Sequence, residues 1–185
     1  MILYVNACVR TLSRTDRVAR ELLKILGKEY KEVKLAKEDI RPLDEATLEK
    51  RTALAQKNDF RDALFSYAKD FAAADTIVVS APFWDGSFPS ILKVYLENVY
   101  VIGLTSKYLD DGTPVGLCRA KKLYYVTTAG GKFIPDFSYD YLKALATTSF
   151  GIPETMLIKA EFLDVYGADE QAIIEKTINS LRNEP

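Results

Sequence analysis

Apolar and polar positions follow two rhythms along this chain. Ile2 to Val5 is a short unbroken apolar run, as in a buried strand. From Thr15 the spacing lengthens. Val18, Leu22, Ile25 and Leu26 fall on one helical face, and Gly27 ends the pattern. "YKEVKL" (30–35) alternates and gives a second strand. "DTIVVSAP" (75–82) is continuously apolar and predicts a third, covered on both faces. "LYYVTTA" (123–129) and "TMLIKAEFLDV" (155–165) predict the fourth and fifth. Between the strands, Phe60, Leu64, Tyr67, Ala68 and Phe71 share a helical face, with Asn58 or Asp59 as its cap. Pro89 opens a helix through Val99, "YLKALATTSF" (141–150) is a helix stopped by Gly151, and Asp169 to Leu181 forms the last. Residues 36–59 are the most charged stretch, expected to hold a polar helix after Pro42. "YLDDGTPVGLCRAKK" (108–122) is a connector with Asp-Gly and Thr-Pro turns. The series predicts one α/β domain over residues 1–185, with the charged stretch as an excursion. Its core is a doubly wound, five-stranded parallel sheet with helices on both faces.

Sheets of this kind bind ligands beyond the carboxyl ends of their strands. Three loops follow from that: "NACVRTLSRT", "APFWDGSFP" and "TTAGGKF". In the first, Ser13, Arg14 and Thr15 stand where a helix begins, and unpaired N–H groups there favour an anion such as a phosphate. A plain helix cap explains the same residues. Neither GxGxxG nor GxxxxGK[ST] is present. In the second loop, Pro82, Phe83, Trp84, Asp85 and Gly86 offer a flat apolar wall and backbone donors, or else aromatics packed under a loop. In the third, Thr128, Ala129, Gly130 and Gly131 let backbone approach a ligand closely, or simply turn the chain. A mononucleotide bearing a large planar ring satisfies all three at once, and FMN has that form.

Composition narrows the classes. The chain has 185 residues, 48% hydrophobic and 28% charged, with a net charge of −1. These values suit one well-buried core and give no basic footprint for nucleic acid. No histidine occurs, which removes the commonest general base and metal ligand, so no metal site is expected. The two cysteines, Cys8 and Cys118, have no metal or CxxC spacing and read as structural thiols in a reducing compartment. No leader and no membrane span are expected, which points to the cytoplasm.

The segment "APFWDGSFPSILKVYLENVY", the "TTAGG" loop and the "SRT" helix start together resemble the flavodoxin-like NAD(P)H:quinone oxidoreductases and FMN-dependent azoreductases, over nearly the whole chain. In the segment Leu92 and Lys93 match the family's LK pair, and Glu97 takes the acidic position. The resemblance implies that Ser13, Arg14 and Thr15 hold the FMN phosphate, with Cys8 close by. It puts Pro82 and Phe83 through Gly86 along the ring and ribityl chain. Thr128 through Gly131 reach the pyrimidine edge, followed by Phe133. Lys132 and Phe133 stand where several relatives carry histidine or tyrosine. It further implies NADH or NADPH as donor, a quinone, azo compound or similar acceptor, ping-pong hydride transfer and a homodimer. Tyr95 and Tyr100 suit an interface or the core equally. No side chain is assigned a catalytic role: flavin N5 carries hydride, and the Gly130 and Gly131 amides support charge. Tyr139 reads either as a proton donor or as packing. The rivals are an electron-transfer flavodoxin and a flavin-free receiver domain, the latter lacking its acidic cluster after the first strand.

Overall fold

The computed structural model describes residues 1–132 and 137–182. Its centre is a five-stranded parallel sheet built from β1 (Ile2–Asn6), β2 (Tyr30–Lys34), β3 (Thr76–Ser80), β6 (Lys122–Thr128) and β7 (Glu154–Ala160), in the order β2-β1-β3-β6-β7. Register is continuous across the middle: Val5 faces Val33 on one side and Val79 on the other, and Val79 faces Tyr125. The fold class expected from the alternation is the one observed.

Period-two alternation divides each central strand between two cores. Ile2, Tyr4, Val78, Val126 and Ile158 point to one face. There they meet Val18, Leu22 and Leu23 of helix α1 (Arg14–Leu26) and Ile174, Ile178 and Leu181 of α6 (Glu170–Arg182). Leu3, Val5, Ile77, Val79, Leu123 and Tyr125 point to the other face. They meet Phe71 of α3 (Ser66–Ala73), Leu92, Tyr95 and Leu96 of α4 (Ser90–Val99), and Leu142 of α5 (Tyr139–Ala144). The chain leaves β1 for β2 and then crosses back to β3 on the opposite side of β1. The loops after β1 and β3 therefore part, and a crevice opens between them.

Three boundaries differ from the sequence reading. The Phe60–Phe71 segment is not one helix capped at residue 58 or 59. Asn58 adopts a left-handed φ of 51° just past α2 (Glu45–Gln56), and Asp62 caps a 3₁₀ turn (Ala63–Phe65) that leads into α3. The fifth strand ends at Ala160, because Phe162 takes φ 66° and the amides of Phe162, Leu163 and Asp164 turn to the carbonyls of Gly131, Ala129 and Gly130. The connector is not simple coil. It carries a small antiparallel ribbon, β4 (Ser106–Tyr108) with β5 (Pro114–Gly116), whose arms are too short to show alternation.

Gly116 of that ribbon lies against the end of the π-helical turn Leu145–Phe150 that continues α5. A Cβ at Gly116 would overlap the backbone of Phe150 and Gly151. Gly151 itself has φ 72°, and its own Cβ would meet the Gly116 Cα at 3.1 Å. In the charged excursion, α2 buries no side chain. It is tied down by Arg51 Nη1 donating to the Glu97 carbonyl at 2.9 Å and by a Lys50–Asp62 ion pair of 2.6 Å. Among the described residues no helix is long and apolar enough to cross a membrane, and no cluster of three or more His, Cys, Asp or Glu could hold a metal.

Candidate functional site

Helix α1 begins at the carboxyl end of β1, and its first turn is open. Ser13 is the N-cap (φ −79°, ψ 127°), and its Oγ accepts from the Asp16 amide at 3.3 Å. The Arg17 amide takes the first helical bond, to the Ser13 carbonyl at 3.0 Å. The amides of Arg14 and Thr15 are left without an acceptor among the described residues, as the geometry of a helix start requires. Capping uses the Ser13 Oγ as an acceptor, which leaves its O–H and the free amides for an anion, so the two sequence readings of Ser13 are compatible.

A buried network holds this turn in place from below. Tyr4 donates its hydroxyl to Asp16 Oδ1 at 2.6 Å and lies 2.8 Å from Ser80 Oγ. Asn6 Nδ2 reaches Asp16 Oδ1 (3.0 Å) and Glu32 Oε1 (2.9 Å), and Arg20 bridges Asp16 and Glu32. Burial, and then the bond to Asp16, pushes the Tyr4 phenol far up. Cys8 sits in the same layer. It is fully buried, with Sγ 3.5 Å from Ser80 Oγ, and burial pushes its thiol up.

The three loops meet in one cleft of about 180 Å³. Ser13, Arg14 and Thr15 line it from α1, Pro82, Phe83 and Trp84 from the loop after β3, and Thr128 and Gly130 from the end of β6. Thr15 Oγ1 and Thr128 Oγ1 are 2.7 Å apart and buried, joining the first loop to the third. One proton serves that bond, so one hydroxyl of the pair keeps a proton for a ligand. The Phe83 amide donates to the Thr128 carbonyl at 3.0 Å, fixing the second loop to the third. Trp84 and Ser87 close a two-residue turn through reciprocal backbone bonds of 2.7 and 2.8 Å. Asp85 (φ 50°) and Gly86 (φ 87°) occupy its left-handed positions. This turn holds the indole of Trp84 at the cleft, 42% exposed.

Five of the residues singled out in the sequence do not line the cleft. Cys8 lies beneath it, Ala129 is buried, Asp85 and Gly86 form the supporting turn, and a Cβ at Gly131 would meet nothing within 4 Å among the described residues. Gly131 has no left-handed φ, so strain is not its reason for being glycine. The close approach belongs to Gly130, where a Cβ would overlap Asp164 Oδ2. Phe133 lies outside the described residues. Tyr139 packs parallel to Tyr125, its hydroxyl 3.0 Å from Thr155 Oγ1, and Tyr95 is wholly buried in the core.

Sequence reasoning missed Val9, Arg10, Leu12 and Asp164, all of which line the cleft. Asp164 pairs with Arg14 through both guanidinium nitrogens, at 2.8 and 3.2 Å, and Arg14 Nη1 also reaches Glu170 at 3.1 Å. The Arg14 guanidinium beside it holds the Asp164 carboxyl below its usual range. The apolar Val9 and Leu12 sit in a loop, half and almost wholly exposed, where no periodicity marks them.

A doubly wound parallel sheet with an open helix start, an aromatic turn and a glycine loop at one crevice defines a flavodoxin-like protein. Over residues 1–183 the chain matches the protein-family model described as flavodoxin-like fold, and it belongs to that family. It is 33% identical over 200 aligned positions to FMN-dependent NADH:quinone oxidoreductase 2 of Clostridium acetobutylicum, covering 99% of this chain and 96% of that one. The FMN-dependent NADH:quinone oxidoreductase of Coprothermobacter proteolyticus is 31% identical, with coverage of 99% and 94%. Among solved structures, an azoreductase from Bacillus anthracis superposes with a TM-score of 0.84 at 21% identity, covering 98% and 96%. An FMN-dependent NADH-azoreductase from the same species, in complex with FMN, gives 0.80 at 20%, covering 98% and 95%. At such identities the structural likeness speaks for the fold.

Proposed function

We propose that this protein is an FMN-dependent NAD(P)H oxidoreductase that reduces quinones, azo compounds or similar acceptors. The observation that carries the reading is the convergence in one cleft of an open helix start, an exposed indole and a glycine-backed loop. The donor set fits FMN. The free amides of Arg14 and Thr15, the Ser13 hydroxyl and the helix dipole suit a phosphate. Phe83 and Trp84 suit a flat ring, and the Gly130–Gly131 backbone can face a polar ring edge.

Bound FMN would supply hydride acceptance and donation, the chemistry shared by both half-reactions. The chain's own work is to grip the phosphate, seat the ring against Trp84, keep water from one face and offer backbone N–H to developing charge. With no histidine in the chain and Tyr139 held by Thr155 outside the cleft lining, solvent is the proposed source of protons for product. The relatives' names carry NADH and quinone, which favours NADH as donor and disfavours the electron-carrier alternative. The exposed Leu12, Val9 and Trp84 around the cleft support a second copy of the chain covering it as a homodimer. The free thiols of Cys8 and Cys118 support a reducing cytoplasm.

The test is the purified protein's visible spectrum, followed by chromatography of the released cofactor and NADH oxidation with a benzoquinone acceptor. FMN and acceptor-dependent NADH oxidation are expected. FAD, or a colourless protein that ignores added FMN, overturns the reading.

A further inference from the structure

We propose that Asp164 sets the strength of phosphate binding, by holding the Arg14 guanidinium in a carboxylate pair with which a phosphate has to compete. The inference rests on the FMN reading and adds to it a residue that tunes affinity.

Arg14 is the first residue of α1, so its backbone and side chain serve different ends. The amide faces the open helix start. The side chain crosses to the segment after β7, where Asp164 accepts two guanidinium bonds and Glu170 a third. Arg14 and Asp164 both line the cleft. A phosphate on the Arg14 and Thr15 amides therefore arrives within a side chain's reach of a cation that is already engaged. It also meets a carboxylate of its own sign. Asp164 is fixed in that position. Its amide donates to the Gly130 carbonyl at 3.0 Å, and its carboxylate lies over Gly130 where a Cβ would stand.

The pair is open to competition. The Asp164 side chain is 64% exposed and that of Arg14 27%, and exchange between carboxylate and phosphate at such a pair costs little. Arg14 favours phosphate geometrically, because its fork matches two oxygens of either group. Taking the charge from Asp164 removes both the competitor and the like-charge neighbour. It does nothing for a ligand without a phosphate.

Apoprotein titrated with FMN and with riboflavin, followed by flavin fluorescence quenching, tests this. Asp164→Asn should bind FMN about tenfold more tightly, the size of one charged hydrogen bond gained, with riboflavin affinity unchanged. Glu170→Gln should move FMN in the same direction by less. The gain should shrink in the Arg14→Gln, Asp164→Asn double variant, and it should fade as salt rises. FMN affinity that is unchanged or lower in Asp164→Asn overturns the inference, as does an equal change for both ligands, which marks Asp164 as merely structural. If Asp164→Asn does not fold by thermal melting, Asp164→Ser and Glu170→Gln carry the same test. Wild-type protein that binds neither ligand, or binds both equally, refutes the phosphate reading itself. Wild-type preference for FMN without a rise in Asp164→Asn refutes only the role of Asp164.

Discussion

At the level of single residues the hydroxyls and glycines divide the labour. Ser13 both caps α1 and faces the cleft, so Ser13→Ala should cost about 1 kcal/mol in stability through the lost cap. It should also cost about tenfold to a hundredfold in FMN affinity, since a hydroxyl bonded to a charged oxygen contributes about 1.5–3 kcal/mol. Riboflavin binding should barely move, and paired FMN and riboflavin titrations check the difference. Gly130→Ala should break the Arg14–Asp164 pair by displacing the carboxylate. Its FMN-to-riboflavin preference should then rise as in Asp164→Asn, whereas Gly131→Ala, whose Cβ meets no described residue within 4 Å, should leave it alone. Both thiols should resist alkylation at neutral pH. Burial pushes Cys118 up to about 12 and Cys8 upward too, so thiolate is scarce, and mass spectrometry after iodoacetamide in native buffer would count the labels. The loop hydroxyls and aromatics were legible in the sequence because helix starts and strand ends have local signatures. Asp164 was not. It lies in a strand-like stretch, and its partner is 150 positions away.

Among the elements, α1 bears the greatest burden, since the open turn at its start is held from below by side chains of β1, β2 and β3. Tyr4→Phe removes the 2.6 Å bond to Asp16 and leaves that buried carboxylate to Asn6 and Arg20. A loss of about 1.5–3 kcal/mol is expected, read from urea unfolding of the apoprotein. The amphipathic face of α1 was plain from Val18, Leu22 and Leu26, but the network was not, because Tyr4 sits in a run that reads as purely apolar. The opposite case is α2, whose polar pattern was visible and whose lack of buried side chains follows directly from it. Its amides should exchange with solvent well before those of α1 and α4 in native-state hydrogen exchange, because little packing resists local opening.

Over the whole molecule, strand runs and helix periods led to the layered fold because each strand and helix reports its own burial. What they could not report is which ends meet. The crossing from β2 to β3 brings the loops after β1 and β3 to one crevice, and the segment after β7 closes it through Arg14. Chain reversals of this kind depend on contacts between distant positions, not on local preference. The small β4–β5 ribbon was hidden for the same reason, being identifiable only by where it docks. That docking, glycine backbone against glycine backbone at positions 116 and 151, has a consequence for how the sequence can change. Alanine is disfavoured at both: at 116 the added carbon overlaps main chain, and at 151 it is crowded against the Gly116 backbone at 3.1 Å in a left-handed φ. In a library saturated at the two sites and sorted for folded protein, glycine should be recovered at both, and single replacements should be lost even far from the cleft. The ribbon and the π-turn beside it thus hold two glycines in place by one backbone contact, 35 residues apart in sequence.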